Sequence, residues 1–456
     1  MFKQLFTIPI KLSLLIIVFV IFFGALWDSP LKATSPAPEI EWQKTFGGSF
    51  RDEVHSFQKT SDGGFILAGM TESKDGDVTG RRGNSDFWIV KIDRQGNLKW
   101  QKTLGGVSRD SAHSIDETSD GGFIVSGVTF SEDGDVQGKH GGDDFWIVKL
   151  NVLGNLEWQK CLGGSETDIS NSIQETSDGG FITTGLSRSR DGDATENHGG
   201  FDYWIVKLDR QRNIQWQKSL GGSGNDYANN VLETADGGFI IIGASDSADG
   251  DVTDNHGESD AWIVKLNSQG NLEWQKSLGG SLEDSINSIQ QTSDGGFIAV
   301  GQTKSRDGDV TENHGGDDLW IIKMDSQGNV LWQKTYGGSD YDKADSIQET
   351  SDGGFIAAGL TQSRDGDVTK NHGGWDYWIL KLDDQGNLEW QKSLGGSLVD
   401  LAIRALETDG GGYLVAGTAR SKDGDVANGF GGDDIWIVKL YSQEIAQTPQ
   451  GIMGAK

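Results

Sequence analysis

Twenty-eight aspartates stand at four fixed places in a 58-residue unit that recurs seven times. One series follows a Gly-Gly pair by a few residues: Asp52, Asp110, Asp168, Asp226, Asp284, Asp342 and Asp400. Two more belong to a D-G-D loop: Asp75 and Asp77, Asp133 and Asp135, Asp191 and Asp193, Asp249 and Asp251, Asp307 and Asp309, Asp365 and Asp367, Asp423 and Asp425. The last ends that loop at Asp86, Asp144, Asp202, Asp260, Asp318, Asp376 and Asp434. Hard carboxylate oxygens on a Gly-containing loop suit Ca²⁺, which takes about six to eight oxygen ligands at flexible angles. The D-G-D pairs are therefore candidate calcium ligands, and the Asp52 series is a candidate binding set beside them. D-G-D lacks the remaining oxygens and terminal Glu of an EF-hand loop. The competing reading is turn chemistry, because a loop Asp accepts backbone N–H bonds.

The same loops carry His140, His198, His256, His314 and His372, one imidazole per unit, with no second His or Cys nearby. A lone His per loop suits hydrogen bonding better than a transition metal. Lys91 and its equivalents lie in an apolar run, and a simple hairpin register places Lys149, Lys265 and Lys381 opposite Glu157, Glu273 and Glu389. Catalysis by paired carboxylates needs groups in different roles. A carboxylate copied into all seven units does not supply that difference, so no catalytic residue is assigned.

The elements that position these residues follow from the repeat. In the unit from Ser49 to Leu104, Asp52–Thr60 alternates as a strand, and Ser61-Asp62-Gly63-Gly64 is a tight turn. Phe65–Gly69 is a short apolar strand, and a polar loop then leads to Phe87–Ile92, apolar on both faces as in a buried strand. A second hairpin leads to Leu98–Leu104, which carries W-Q-K. Four antiparallel strands repeated seven times predict a seven-bladed β-propeller. The array opens with an unpartnered WQK segment at Trp42 and closes at Trp436 without one, so the first strand is expected to complete the last blade. Strand alternation puts the D-G-D loops and the inter-blade loops on one face. The tryptophans read as wedges between blades, since an indole buries roughly 200 Å².

All five prolines lie outside the array, as paired strands require. The formal charge of −29 repels phosphate backbones and anionic lipid, which excludes nucleic acid as a partner. A single cysteine, Cys161, rules out an internal disulfide. Residues 1–35 hold Lys3, Lys11 and the apolar run Leu12–Trp27, which reads as a signal peptide or an uncleaved signal anchor. An uncleaved anchor would be the one link to a membrane. Residues 39–441 form the propeller and 442–456 a tail.

The run Asp143–Lys160, D-D-F-W-I-V-K-L-N-V-L-G-N-L-E-W-Q-K, resembles the strand-turn-strand signature of quinoprotein-like propeller repeats. Arrays of W-Q-K-x-x-G-G with S-D-G-G-F-I resemble a group of secreted or surface bacterial propeller-repeat proteins. That resemblance implies export to the periplasm, cell surface or medium. The chain is expected to be a monomeric, non-enzymatic binding or scaffold propeller for an extracellular glycan or protein, with calcium as a candidate stabilising ion. A polysaccharide-active enzyme on the same scaffold is the alternative.

Overall fold

The computed structural model describes residues 35–441, and the predicted signal or anchor (all but Ser35) and the tail lie outside them. Seven four-stranded antiparallel sheets form, six of them with their strands in chain order from the axis outward. In the first blade these are Asp52–Lys59, Phe65–Thr71, Asp86–Ile92 and Leu98–Leu104. The seventh sheet takes three strands, Asp400–Glu407, Tyr413–Ala419 and Asp434–Leu440, from the chain's end and its outer strand, Ile40–Phe46, from the beginning. Gln43 pairs with Val438 and Thr45 with Trp436, which closes the ring as the offset of the two motifs predicts.

The core is divided into seven clusters, one between each pair of neighbouring blades. The W-I-V-K indoles are fully buried there, and Trp146 lies 4.5 Å from the Phe87 ring of the preceding blade. Each such indole donates to a Gln of the adjacent WQK segment, as Trp88 Nε1 does to Gln101 at 3.0 Å. The WQK indoles are the outer wedges. Trp100 packs at a tilt against Phe123 of the next blade, ring centres 5.8 Å apart. Both sets thus fill blade interfaces, where aromatic area contributes most.

The lysine of the buried third strand behaves differently from the simple register. A bulge after Lys149 sets it across from Trp158, not Glu157. Its ammonium still reaches Glu157 at 3.3 Å, and Lys265 and Lys381 reach Glu273 and Glu389 at 3.3 and 3.2 Å. The partner common to more blades is the Asp of the S-D-G-G turn: Asp120, Asp178, Asp236, Asp294 and Asp352 each take the lysine of their own blade within about 3 Å. That Asp is the one acceptor at the turn that compensates a buried ammonium. In the last blade the turn reads Thr408-Asp409-Gly410-Gly411, and Lys439 bonds Thr408 Oγ1 and the Gly411 carbonyl instead.

Candidate functional site

The aspartates do gather on one face, around the Gly-Gly turn that links one blade to the next. Asp52 opens the first strand, and its carboxylate accepts from Gly48 N at 2.7 Å, Ser73 Oγ at 2.7 Å and Thr71 Oγ1 at 2.5 Å. Asp75 accepts from Ser49 N at 2.8 Å, and Asp77 from Gly47 N at 3.3 Å. The Asp77 amide returns a bond to the Gly47 carbonyl at 2.9 Å. Two blades on, Asp168, Asp191 and Asp193 repeat the arrangement on Gly163–Ser165. Three carboxylates therefore hold one backbone turn by its N–H groups, and the two glycines are there because carboxylates occupy the space of a side chain. A Cβ on Gly105 would stand 2.5 Å from Asp110 Oδ2 and 3.0 Å from Asp86 Oδ1.

The first series, Asp52, Asp110, Asp168, Asp226, Asp284, Asp342 and Asp400, is buried throughout and faces no solvent. The D-G-D pairs split: the first Asp is exposed and caps a Ser or Val amide, while the second is mostly half-buried. Among the described residues no three His, Cys, Asp or Glu side chains converge to hold a metal ion. The third series closes the loop from inside. Asp202 accepts from His198 N at 2.8 Å and from His198 Nδ1 at 2.6 Å. Where the His is absent, the backbone bond persists: Arg82 N and Phe430 N cap Asp86 and Asp434 at 2.9 and 2.6 Å. The imidazole is thus an addition to a cap the main chain already makes.

Burial pushes Asp226, Asp342 and Asp434 up to about 6, each with a second buried Asp adding repulsion. The bonds to Asp260 and Asp318 raise His256 and His314 above the usual imidazole value. On the opposite face, burial opposes ionisation of Asp62, Asp120 and Asp178, but hydrogen bonds from Thr, Gly and Lys hold all three down to about 2. Groups raised in the folded state stabilise it fully below their unfolded value and lose that effect as pH rises through the folded one. Depressed carboxylates do the reverse, losing their contribution below about pH 4. Thermal stability is expected to peak near pH 4, to fall most steeply between about pH 4 and 6 and to decline further toward pH 7.5. Calorimetry across that range checks it, and a Tm still rising from pH 6 to 7.5 would contradict it.

The second concave surface is the axial channel, a cavity of about 380 Å³ lined by the seven first strands. Each of these strands carries a β-bulge at the same place, between Val54 and Ser56 in the first blade. A bulge re-aims the side chains that follow it. Here it brings two successive positions, those of His55 and Ser56, onto the channel. The first of them forms a belt across blades. His55 Nδ1 bonds the Ala112 carbonyl at 2.8 Å, His113 Nδ1 bonds Ser170 O at 2.9 Å, and the amides of Asn171, Asn229 and Asn287 bond Ala228, Ile286 and Ala344 at 2.9–3.0 Å. Asp345 and Ile403 have no N–H to offer, so the belt ends there.

Sequence reasoning passed over this ring of residues. The signal was present as variation: at a position of near-identical repeats the chain reads His, His, Asn, Asn, Asn, Asp, Ile. Regular loops drew attention to what repeats, whereas asymmetry lies where the units differ.

No protein-family model matches the chain. A curated relative is regulatory protein FlaEY of Caulobacter vibrioides, 22% identical over 421 residues, covering 80% of this chain and 43% of the relative. The chain thus spans less than half the length of that protein. Similar solved structures include Sqt1 from Chaetomium thermophilum, at 14% identity and TM-score 0.43 over 83% of this chain and 82% of that one. Drosophila Plexin A in complex with Semaphorin 1b gives 9% identity and TM-score 0.44, with 88% of each chain covered. YCF48 bound to D1 peptide gives 8% and 0.45, over 90% of this chain and all of the other. With every TM-score below 0.5, the fold rests on the strand pairing itself.

Proposed function

We propose that the chain is an exported, non-enzymatic propeller scaffold that meets an extracellular polymer or protein partner through its loop face. The observation that carries this reading is the sevenfold recurrence of one loop geometry at 58-residue spacing in a ring closed by hydrogen bonds. Repeated weak contacts with a repeating ligand gain from effective concentration, without any single tight site. The aspartates act in this reading as the loop-shaping residues, and the exposed tips between them make the contact. Export is supported by the lysines and apolar run at the N-terminus. A regulatory role, the word in the relative's name, is also one a binding module performs.

Binding to polysaccharides of graded length, by array and then titration, tests this. Affinity is expected to rise at least about tenfold from single sugar to polymer. Equal affinity for both, or turnover abolished by one Asp substitution, would sink the reading. The carboxylates' hydrogen bonds to Gly and Ser amides supply the loop order that calcium would otherwise provide. Chelator is therefore expected to leave Tm unchanged, and a fall on adding EDTA that calcium reverses would restore the metal.

A further inference from the structure

The second channel-facing position divides the ring into two arcs. In the first three blades Ser56, Ser114 and Ser172 accept from the next blade's backbone, at Ile115 N and Ile173 N (3.2 Å each) and Val231 N (3.4 Å). In the remaining four the residues are Asn230, Ser288, Ser346 and Arg404, and none of their side chains makes a hydrogen bond within the described protein. Ser346 Oγ is buried and without a partner. Arg404 has no carboxylate within ion-pair distance. Burial pushes its guanidinium below the usual value, and Asp116 opposes this only through space. Asp116 is itself engaged, by Gln58 Nε2 at 2.9 Å and Glu175 N at 3.1 Å. The other cation nearby, Lys343, is paired with Asp345 at 2.9 Å.

A half-buried charge without a partner is poorly compensated, and a buried hydroxyl without one adds a desolvation cost. Both lie in adjacent blades on a single level of the polar channel. Nothing in the packing requires an arginine there, since Ser or Asn serves the equivalent position in the other six blades. A carboxylate presents two oxygens that fit the guanidinium fork. Ser346 would donate to the same carboxylate, and the Ser288 hydroxyl and Asn230 amide across the arc suit ligand hydroxyls.

We propose that this arc of Asn230, Ser288, Ser346 and Arg404 is a binding site for a small polyhydroxylated carboxylate of the sugar-acid class, its carboxylate on Arg404. The site is separate from the loop face, so its failure would leave the scaffold reading intact. A free acid and the acidic end of a longer glycan share this chemistry.

Titration calorimetry on the full chain uses glucuronate, with glucose, acetate and inorganic phosphate as controls and a uronate oligomer to distinguish the two sources. Glucuronate is expected to bind at least about tenfold tighter than each control and to lose about tenfold or more in Arg404→Met. Arg404→Lys should fall between, because a point charge replaces a fork. An oligomer that binds tighter than the monomer assigns a chain end; equal binding assigns the free acid. Without ligand, Arg404→Met should melt no lower than the wild type, since it removes an unpaired, half-buried charge. Ser346→Ala supplies a second reading in a chain whose fold does not need that hydroxyl, and weaker glucuronate binding is expected. No glucuronate binding by the wild type, preference for phosphate, or undiminished affinity in both variants would overturn the proposal. So would an Arg404→Met chain that melts lower while Ser346→Ala binds normally.

Discussion

Deleting residues 36–46 is expected to abolish the cooperative melting of the folded ring. That segment supplies the outer strand of the seventh blade, and its loss would strip Val438, Ile437 and Trp436 of their pairing partners. Gln43 Oε1 also takes the Trp436 indole N–H at 2.8 Å, so one donor inside the closure would be orphaned as well. Phe46 belongs to the cluster between the last and first blades, with Phe57, Trp88 and Ile437. Leaving a buried indole unpacked costs about 3–5 kcal/mol by analogy with large-to-small core changes, and the open edge invites pairing between chains. The expected products are oligomers or aggregate on size exclusion. A circular permutant that joins Leu440 to Ile40 by a short linker and opens at the Gly163–Gly164 turn instead keeps every ladder, because all seven inter-blade links have the same geometry. It should elute as the unpermuted chain does. A truncated chain that melts like the parent would refute closure by the first strand.

Alanine at Gly185 is expected to cost several kcal/mol although it adds one methyl. Gly185 lies opposite the bulge of the third blade's first strand, between Ser170 and Ser172. A Cβ there would come within 2.9 Å of the Ile169 carbonyl carbon and the Ser170 Cα, and closer still to the Ile169 oxygen. Backbone cannot move aside as a side chain does, so the bulge itself would have to shift, and overpacking of this kind typically costs about 1–3 kcal/mol or more. The bulge sets what reaches the channel, so the channel would change with it. Thermal melts of Gly185→Ala against Gly121→Ala separate the two sources of glycine cost. Gly121 has open space and a φ of +79°, so its substitution strains the turn without a clash. Equal Tm for the Gly185 variant and the wild type would remove the close-approach argument.

The fold was legible because the repeat carries two independent anchors on one period, and their offset at the ends encodes the closure. The rim was legible as a gathering, since strand alternation decides which loops share a face. What the aspartates do there was less so. A carboxylate near Gly-Gly reads the same whether its oxygens meet a cation or an amide, and only the folded turn shows Gly48 N on Asp52. The Lys149–Glu157 contact was visible as a pair but misplaced in register, because a one-residue bulge leaves no mark on the alternation. The channel needed the bulge at Val54–Ser56 to be known before His55 and Ser56 could be set on one surface.

Because the closing sheet joins three late strands to one early strand, unequal crossing-over between any two copies of the coding repeat excises or adds a whole 58-residue cassette. It still leaves a WQK strand at the front to meet a W-I-V-K strand at the back. Copy number can therefore drift without a new seam being invented. What resists the drift is the angle at which each indole, such as Trp146 against Phe87, seats one sheet on the next. Lineages carrying six or eight cassettes should show their compensating changes at those ring pairs before anywhere else.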